Sequence, residues 1–177
     1  LMDEWALFDT FSDDERNWFA YQLGFTRIFN ICNREALLKV EYSRIDPRTY
    51  NHRFMINEPT HHGYNLGYWS SSDSDDIYTN MTFWLDDITS ISLEYQYTRL
   101  GNQPILEVLE KQYNNQNVKF LGQDYFHRKT IALSYTTSLI YNINLDIKLI
   151  HFDTDLYNDT TEQFNDMIIT LRYNISK

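Results

Sequence analysis

Residues 90–98 read SISLEYQYT. Ile91, Leu93, Tyr95 and Tyr97 fall on one parity, and Ser92, Glu94, Gln96 and Thr98 on the other. Successive side chains of an extended chain point to opposite faces, so the stretch predicts a strand with one apolar and one polar face. The pattern recurs in both directions. Upstream, Phe19, Tyr21, Leu23 and Phe25 alternate with Ala20, Gln22, Gly24 and Thr26, and Leu38, Val40 and Tyr42 alternate with Lys39, Glu41 and Ser43. Ile77, Thr79, Met81, Phe83 and Leu85 follow, set against Tyr78, Asn80, Thr82 and Trp84. Downstream come Ile131, Leu133 and Tyr135, then Leu145, Ile147 and Leu149, and finally Met167, Ile169, Leu171, Tyr173 and Ile175. The opening LMDEWALF reads as one more strand, and only PILEVLEKQY suits a helical turn or two, with Pro104 at its start.

The connections carry as much information as the strands. NICNREA, DDITS and YNIN are short, whereas about 46–76, 99–126 and 153–165 are long and polar. Short and long alternate along the chain, which in an up-and-down barrel places all turns at one rim and all long loops at the other. Outer-membrane barrels have that asymmetry. The expected fold is therefore all-β: an up-and-down antiparallel transmembrane β-barrel, or the C-terminal eight or so strands of a larger one, with 1–177 as one barrel domain or segment. A lipocalin-like soluble barrel, with the apolar face turned inward, is the rival geometry. Aromatics near the strand ends, strands of ~9–11 residues and mixed charges on the polar face favour lipid.

Composition excludes several classes. A formal net charge of −10 argues against nucleic-acid binding. Mean hydropathy is −0.54, and no apolar run approaches the ~18 residues of a spanning helix. Cys32 is the single cysteine, so no internal disulfide is possible, and an unreactive thiol in a turn is expected. The chain opens on Leu1 without a basic-then-apolar leader, which suggests a removed leader or a fragment of something longer.

Residues 50–69, YNHRFMINEPTHHGYNLGYW, hold three of the five histidines. His61 and His62 are adjacent, so in extended chain they point apart, and no Cys or spaced His-x-x-x-His completes a set with His52. No metal and no cofactor are expected. A hydrolytic site from Ser70–Ser72, His62 and Asp73 lacks a nucleophile elbow, and SSSDSDD reads as a solvated loop. Sugars present apolar C–H faces and dense hydroxyls, which flat rings with polar edges match. The candidate ligand-binding set is Tyr50, Asn51, His52, His62, Tyr64 and Trp69, joined by Arg99 and Gln123 from the next long loop. Alternatively these aromatics cap the barrel mouth and hold the loop folded. Glu41, Arg44, Glu94, Arg99 and Arg172 are expected to pair with one another inside the barrel. The acidic loops are expected to be solvated, bridged by divalent ions to anionic lipopolysaccharide.

The order of segments also carries a resemblance. An LMDEW-like opening, an acidic segment and an aromatic strand precede KVEYSRIDPRTYNHR, HHGYNLGYW, SDSDDIY and LEYQYTRLGN. This resembles the C-terminal part of the Wzi-like capsule-assembly family, outer-membrane barrels of Gram-negative bacteria. Residues 41–52 and 61–67 are its most specific stretches. The resemblance implies a non-enzymatic barrel that binds or organises capsular polysaccharide at the cell surface, with outer-membrane lipids and lipopolysaccharide as neighbours. Two departures stand out: the chain is short for a barrel of about 18 strands, and it ends RYNISK instead of on an aromatic residue. A passive pore, a rim-sited hydrolase and a soluble ligand carrier are the alternatives.

Overall fold

The structure is a computed structural model that describes residues 19–47, 49, 60–61, 64–65, 69–114, 116, 118–122, 125–140, 143–156 and 160–173. Its elements are β1 (Ala20–Ile31), β2 (Arg34–Ile45), β3 (Thr60–His61), β4 (Tyr64–Asn65), β5 (Ser74–Trp84), β6 (Thr89–Gly101), α1 (Ile105–Tyr113), β7 (Tyr125–Ile140), β8 (Ile143–Leu156) and β9 (Thr160–Tyr173). Strands β1, β2, β5, β6, β7, β8 and β9 form one up-and-down antiparallel sheet in chain order, and β3 and β4 form a separate ribbon. The alternation in the sequence is thus realised as strands.

The sheet is open, with β1 and β9 at its edges. In an antiparallel meander the first and seventh strands run the same way, so direct closure would require a parallel pair. Nearly every residue of β1 is exposed, as is every described side chain of β9. The LMDEWALF stretch lies outside the described residues.

Turn chemistry explains the short connections. Cys32 and Asn33 join β1 to β2 with φ of 50° and 60°, the two left-handed residues of a type I′ hairpin turn. Asn33 tolerates this backbone readily, and Cys32 is exposed there. Between β5 and β6, the Ile88 N–H donates to Asp86 Oδ1 (2.9 Å) and the Leu85 N–H to the Thr89 carbonyl (2.9 Å). Pro104 directly precedes α1, and its carbonyl accepts the Val108 N–H (3.1 Å) to begin the helix.

The stretch 153–165 corrects a sequence expectation. It is mostly strand, because β8 runs to Leu156 and β9 begins at Thr160. Its polar residues pair across the hairpin instead of facing water alone. Gln163 Nε2 donates to Asp153 Oδ1 (3.4 Å), Thr161 Oγ1 donates to Asp155 Oδ1 (3.1 Å), and the Phe152 and Phe164 rings stack at 4.7 Å. Apart from the 11-residue β5, the sheet strands run to 12–16 residues and exceed the expected length.

The chain divides into two compact units, one of Leu1–Gln22, Ser43–Asp76 and Arg99–Phe126, the other of Leu23–Tyr42, Ile77–Thr98 and His127–Lys177. In the second unit the apolar parity is exposed on β6 and β7 and at Leu149 of β8, β9 is exposed on both parities, and Leu38, Val40, Leu145 and Ile147 are half-buried. Ile91, Leu93, Leu133, Leu149 and Leu171 are all exposed, Leu171 at 66%. The opposite parity of β6, β7 and β8 is mostly half-buried and carries ion pairs, whereas Arg172 on edge strand β9 is exposed. Lys148 Nζ reaches Glu94 Oε2 (2.8 Å), Lys39 Nζ reaches Glu41 Oε2 (3.0 Å) and lies 5.5 Å from the Tyr78 ring centre, and Arg172 Nε donates to Asp146 Oδ2 (2.7 Å). Each charge anticipated on this face is paired, though with partners other than those expected. Ser134, opposite Lys148 on β7, is small enough for the lysine to extend past it toward β6.

Candidate functional site

The first unit has an ordinary small core. Ile45, Pro47, Val108, Val118 and Leu121 are buried in it. Beside them lies the acidic run that the sequence assigned to a solvated loop. Asp73, Ser74, Asp75 and Asp76 are all buried, Asp76 at 2% exposure. The expectation fails because a run of short acceptors just before a strand can satisfy orphan backbone donors of neighbouring loops, which composition alone does not reveal.

Asp73 is the hub. Ser71 and Asp73 adopt φ of 64° and 55°, a tight double reversal closed by the Ser70–Ser74 hydroxyl contact (2.7 Å) and by Ser74 Oγ donating to the Ser71 carbonyl (2.8 Å). From that turn the Asp73 carboxylate accepts the Leu121 N–H at Oδ1 (2.7 Å) and the Gln103 amide at Oδ2 (2.9 Å). The same Gln103 nitrogen donates to the Lys119 carbonyl (2.8 Å). The Asp73 carbonyl accepts the Gly101 N–H (2.7 Å), and its own N–H approaches the Asp46 carbonyl (3.5 Å). One residue therefore ties together the chain after β2, the end of β6 and the segment before β7.

Two glycines make room for this hub. A Cβ on Gly101 would lie 1.8 Å from Asp73 Oδ2 and 2.3 Å from its Cγ, so no larger residue fits while Asp73 holds its position. Gly122, at φ +57°, packs against Gln103 and needs the left-handed freedom of glycine.

Charge pairs frame the hub. Asp75 accepts both Nε and Nη2 of Arg99 in a bidentate pair, Nε at 2.8 Å, and the guanidinium carbon lies 5.8 Å from the Tyr125 ring centre. Arg44 lies 3.9 Å from the Phe120 ring centre and donates to Asp46 Oδ1 (3.2 Å). Asp46 also receives the Phe19 N–H (3.2 Å). Burial pushes the Asp73 carboxyl above its usual range. The Leu121 N–H and Gln103 amide oppose that rise, Asp46 adds to it, and Arg44 counters it.

Of the sequence candidates, Tyr50, Asn51, His52, His62 and Gln123 lie outside the described residues. Tyr64 belongs to β4, its backbone paired with His61. Trp69 is exposed at the entrance to the Ser70–Ser74 turn, and Arg99 is held by Asp75 in the same unit. Tyr125, next to the Gln123 candidate, is exposed, and exposed Tyr113 adds a ring outside the candidate set. Among the described residues, no group of three His, Cys, Asp or Glu side chains is placed to hold a metal. Comparison with known proteins finds no matching family model, no matching curated protein and no matching solved structure.

Proposed function

We propose that the chain is a lipid-facing part of an outer-membrane β-barrel. Its long connections would form a fixed, non-enzymatic platform for surface polysaccharide. The observation that carries the barrel reading is the exposure pattern of β6 and β7 in the second unit, with aliphatic side chains exposed on one parity and half-buried polar and charged ones on the other. In water, exposing Leu93, Leu133, Leu149, Ile169 and Leu171 together forgoes ~25 cal/mol for each Å² of apolar area left unburied. In lipid the same exposure is favourable. A soluble lipocalin-like carrier would need this face enclosed. The resemblance to capsule-assembly barrels agrees with this choice.

The polysaccharide reading draws support from the first unit. Trp69, Tyr113 and Tyr125 expose flat rings there, and the Asp73 hub restrains the segments that carry them. Ordered rings bind a flexible chain at lower entropic cost than mobile ones. The test is capsule retention by cells carrying Trp69→Ala with Tyr125→Ala. A several-fold loss is expected, with heat-modifiable migration of the protein unchanged. Full retention by a correctly inserted double variant would reject sugar binding by these rings. Absence of the wild-type protein from the outer-membrane fraction would reject the barrel itself.

A further inference from the structure

One face of β7, β8 and β9 changes from apolar to polar part-way along its length, and the other gains apolar residues over two rows at that level. Their registers define rows of facing residues. On one face the rows run Thr137–Leu145–Leu171, Tyr135–Ile147–Ile169 and Leu133–Leu149–Met167, which are apolar but for one threonine. The next row is Ile131–His151–Asn165, and beyond it come Lys129–Asp153–Gln163 and His127–Asp155–Thr161. The change from aliphatic to polar crosses β8 and β9 at one level, and β7 follows one row later.

The other face changes at the same level. Ser138–Asn144–Arg172, Thr136–Asp146–Thr170 and Ser134–Lys148–Ile168 are largely polar, and Ala132–Ile150–Asp166 and Thr130–Phe152–Phe164 carry the buried Ala132 and the stacked Phe pair. Arg128–Thr154–Glu162 beyond them is polar again, so past the His151 row both faces are mainly polar. A sheet in one solvent has no reason to lose its apolar face part-way. A sheet that passes from lipid into water does.

We infer that the Ile131–His151–Asn165 row marks where β7, β8 and β9 leave the apolar layer of the bilayer, with the β8–β9 hairpin continuing into water. This rests on the barrel reading and adds a depth and a direction to it. The dimensions agree. Ile143 to His151 covers about 27 Å of strand, or about 20 Å of height at a tilt of about 40°, close to the ~25 Å apolar band of such barrels. At the boundary His151 Nδ1 and Asn165 Oδ1 are 2.8 Å apart, a polar pair beside Leu149 and Met167. Those four residues, with Ile131, Leu133, Ile150 and Asp166, line a shallow groove of about 440 Å³. Its apolar end fits a lipid acyl chain, and its polar end meets the headgroup level. Beyond it, His127 Nε2 bonds to Asp155 Oδ2 (2.7 Å), a pairing suited to water and costly in hydrocarbon.

The test places single cysteines at 145, 147, 149, 153 and 155, and at 146 as a control of opposite parity, in a Cys32→Ser background. The full chain is inserted in phosphatidylcholine vesicles, and insertion of each variant is confirmed by flotation. Each cysteine carries an environment-sensitive fluorophore, quenched by nitroxide on the acyl chains or by aqueous iodide. Labels at 145, 147 and 149 should be quenched several-fold more by acyl nitroxide than those at 153 and 155, which iodide should reach. Acyl quenching that persists at 153 and 155 would overturn the boundary while leaving the barrel intact. Acyl quenching at 146 instead of 145 and 147 would overturn the face assignment. No acyl quenching at any position, in vesicle-associated protein, would reject the barrel reading and the boundary with it.

Discussion

In the second unit Ala36, Thr89, Thr98 and Ala132 are buried, while leucines and isoleucines stand exposed. In the first, Ile45, Val108, Val118 and Leu121 are enclosed, as in a domain that folds in water. Charges differ in the same way. Those of the second unit pair laterally along a half-sheltered face, as Lys148 does with Glu94. Asp73 in the first unit is buried singly and spends its oxygens on an amide side chain and a backbone N–H. One chain thus follows two rules of burial, and on the proposed barrel reading the difference arises because the second unit's aliphatic face meets lipid.

The sharpest way to break the comparison is to put a charge on each kind of surface. Ile169→Arg, in the middle aliphatic row of β9, should destabilise the inserted protein by ~2–4 kcal/mol, as a cation near mid-bilayer does. Gln163→Arg on the polar stretch of β9 should change stability by no more than ~0.5 kcal/mol. Reversible denaturant unfolding in lipid vesicles measures both. Equal small effects would mean that both surfaces meet water.

Next in size is Gly101→Ala in the first unit. The added methyl overlaps the Asp73 carboxylate, and relief by moving that side chain breaks its bonds to Leu121 and Gln103. Overpacking with the loss of such contacts should cost ~1–3 kcal/mol. Limited proteolysis should then cut the 99–126 segment faster, with heat-modifiable migration unaltered. Adding Asp73→Ala should give a less than additive loss, because the clash is already gone.

These two positions show what the sequence could and could not convey. The alternation at 90–98 predicts β6 because period two follows from backbone geometry alone, and the same holds for β5 and β7. The Asp73 hub left no comparable trace. Its partners Gly101, Gln103 and Leu121 are 28 to 48 residues away, and SSSDSDD has the composition of a solvated loop. Gly101 and Gly122 were the available signals, since glycine beside a strand end often marks a close approach. The 153–165 stretch hides its strands for a related reason. Polar alternation such as Asp153, Thr154 and Asp155 looks like loop until a partner strand supplies the hydrogen bonds.

A smaller effect is expected from the ionic face. The Lys148 and Glu94 side chains are 36% and 26% exposed, so solvent screens their attraction. A double-mutant cycle with Lys148→Met and Glu94→Gln should give a coupling of ~1 kcal/mol or less, shrinking as salt is raised from 0.05 to ~0.5 M. A coupling of ~3 kcal/mol that ignores salt would mean that the second unit hides this pair as fully as the first hides Asp73.

The smallest effect is the pH response of Asp73, where burial and hydrogen bonding oppose each other. Its folded carboxyl lies above the usual range because desolvation outweighs the Leu121 and Gln103 donors. Between the ordinary unfolded value near ~3.9 and the raised folded value, the folded unit binds the proton more tightly than the unfolded chain. The stabilising contribution of that proton is therefore complete below the unfolded value and is lost as pH rises through the folded one. Amide exchange at Leu121, which donates directly to Asp73, reports it after correction for the intrinsic pH dependence of exchange. Protection in the wild type should rise on acidification through this window, and Asp73→Asn, which cannot titrate, should lose that increment while other carboxylates keep theirs. The variant should be weaker at every pH, because its amide nitrogen would face the Gln103 donor, so the difference in slope is the quantity to read. Identical slopes in wild type and variant would show that Asp73 titrates as an exposed carboxylate and that the hub is open to water.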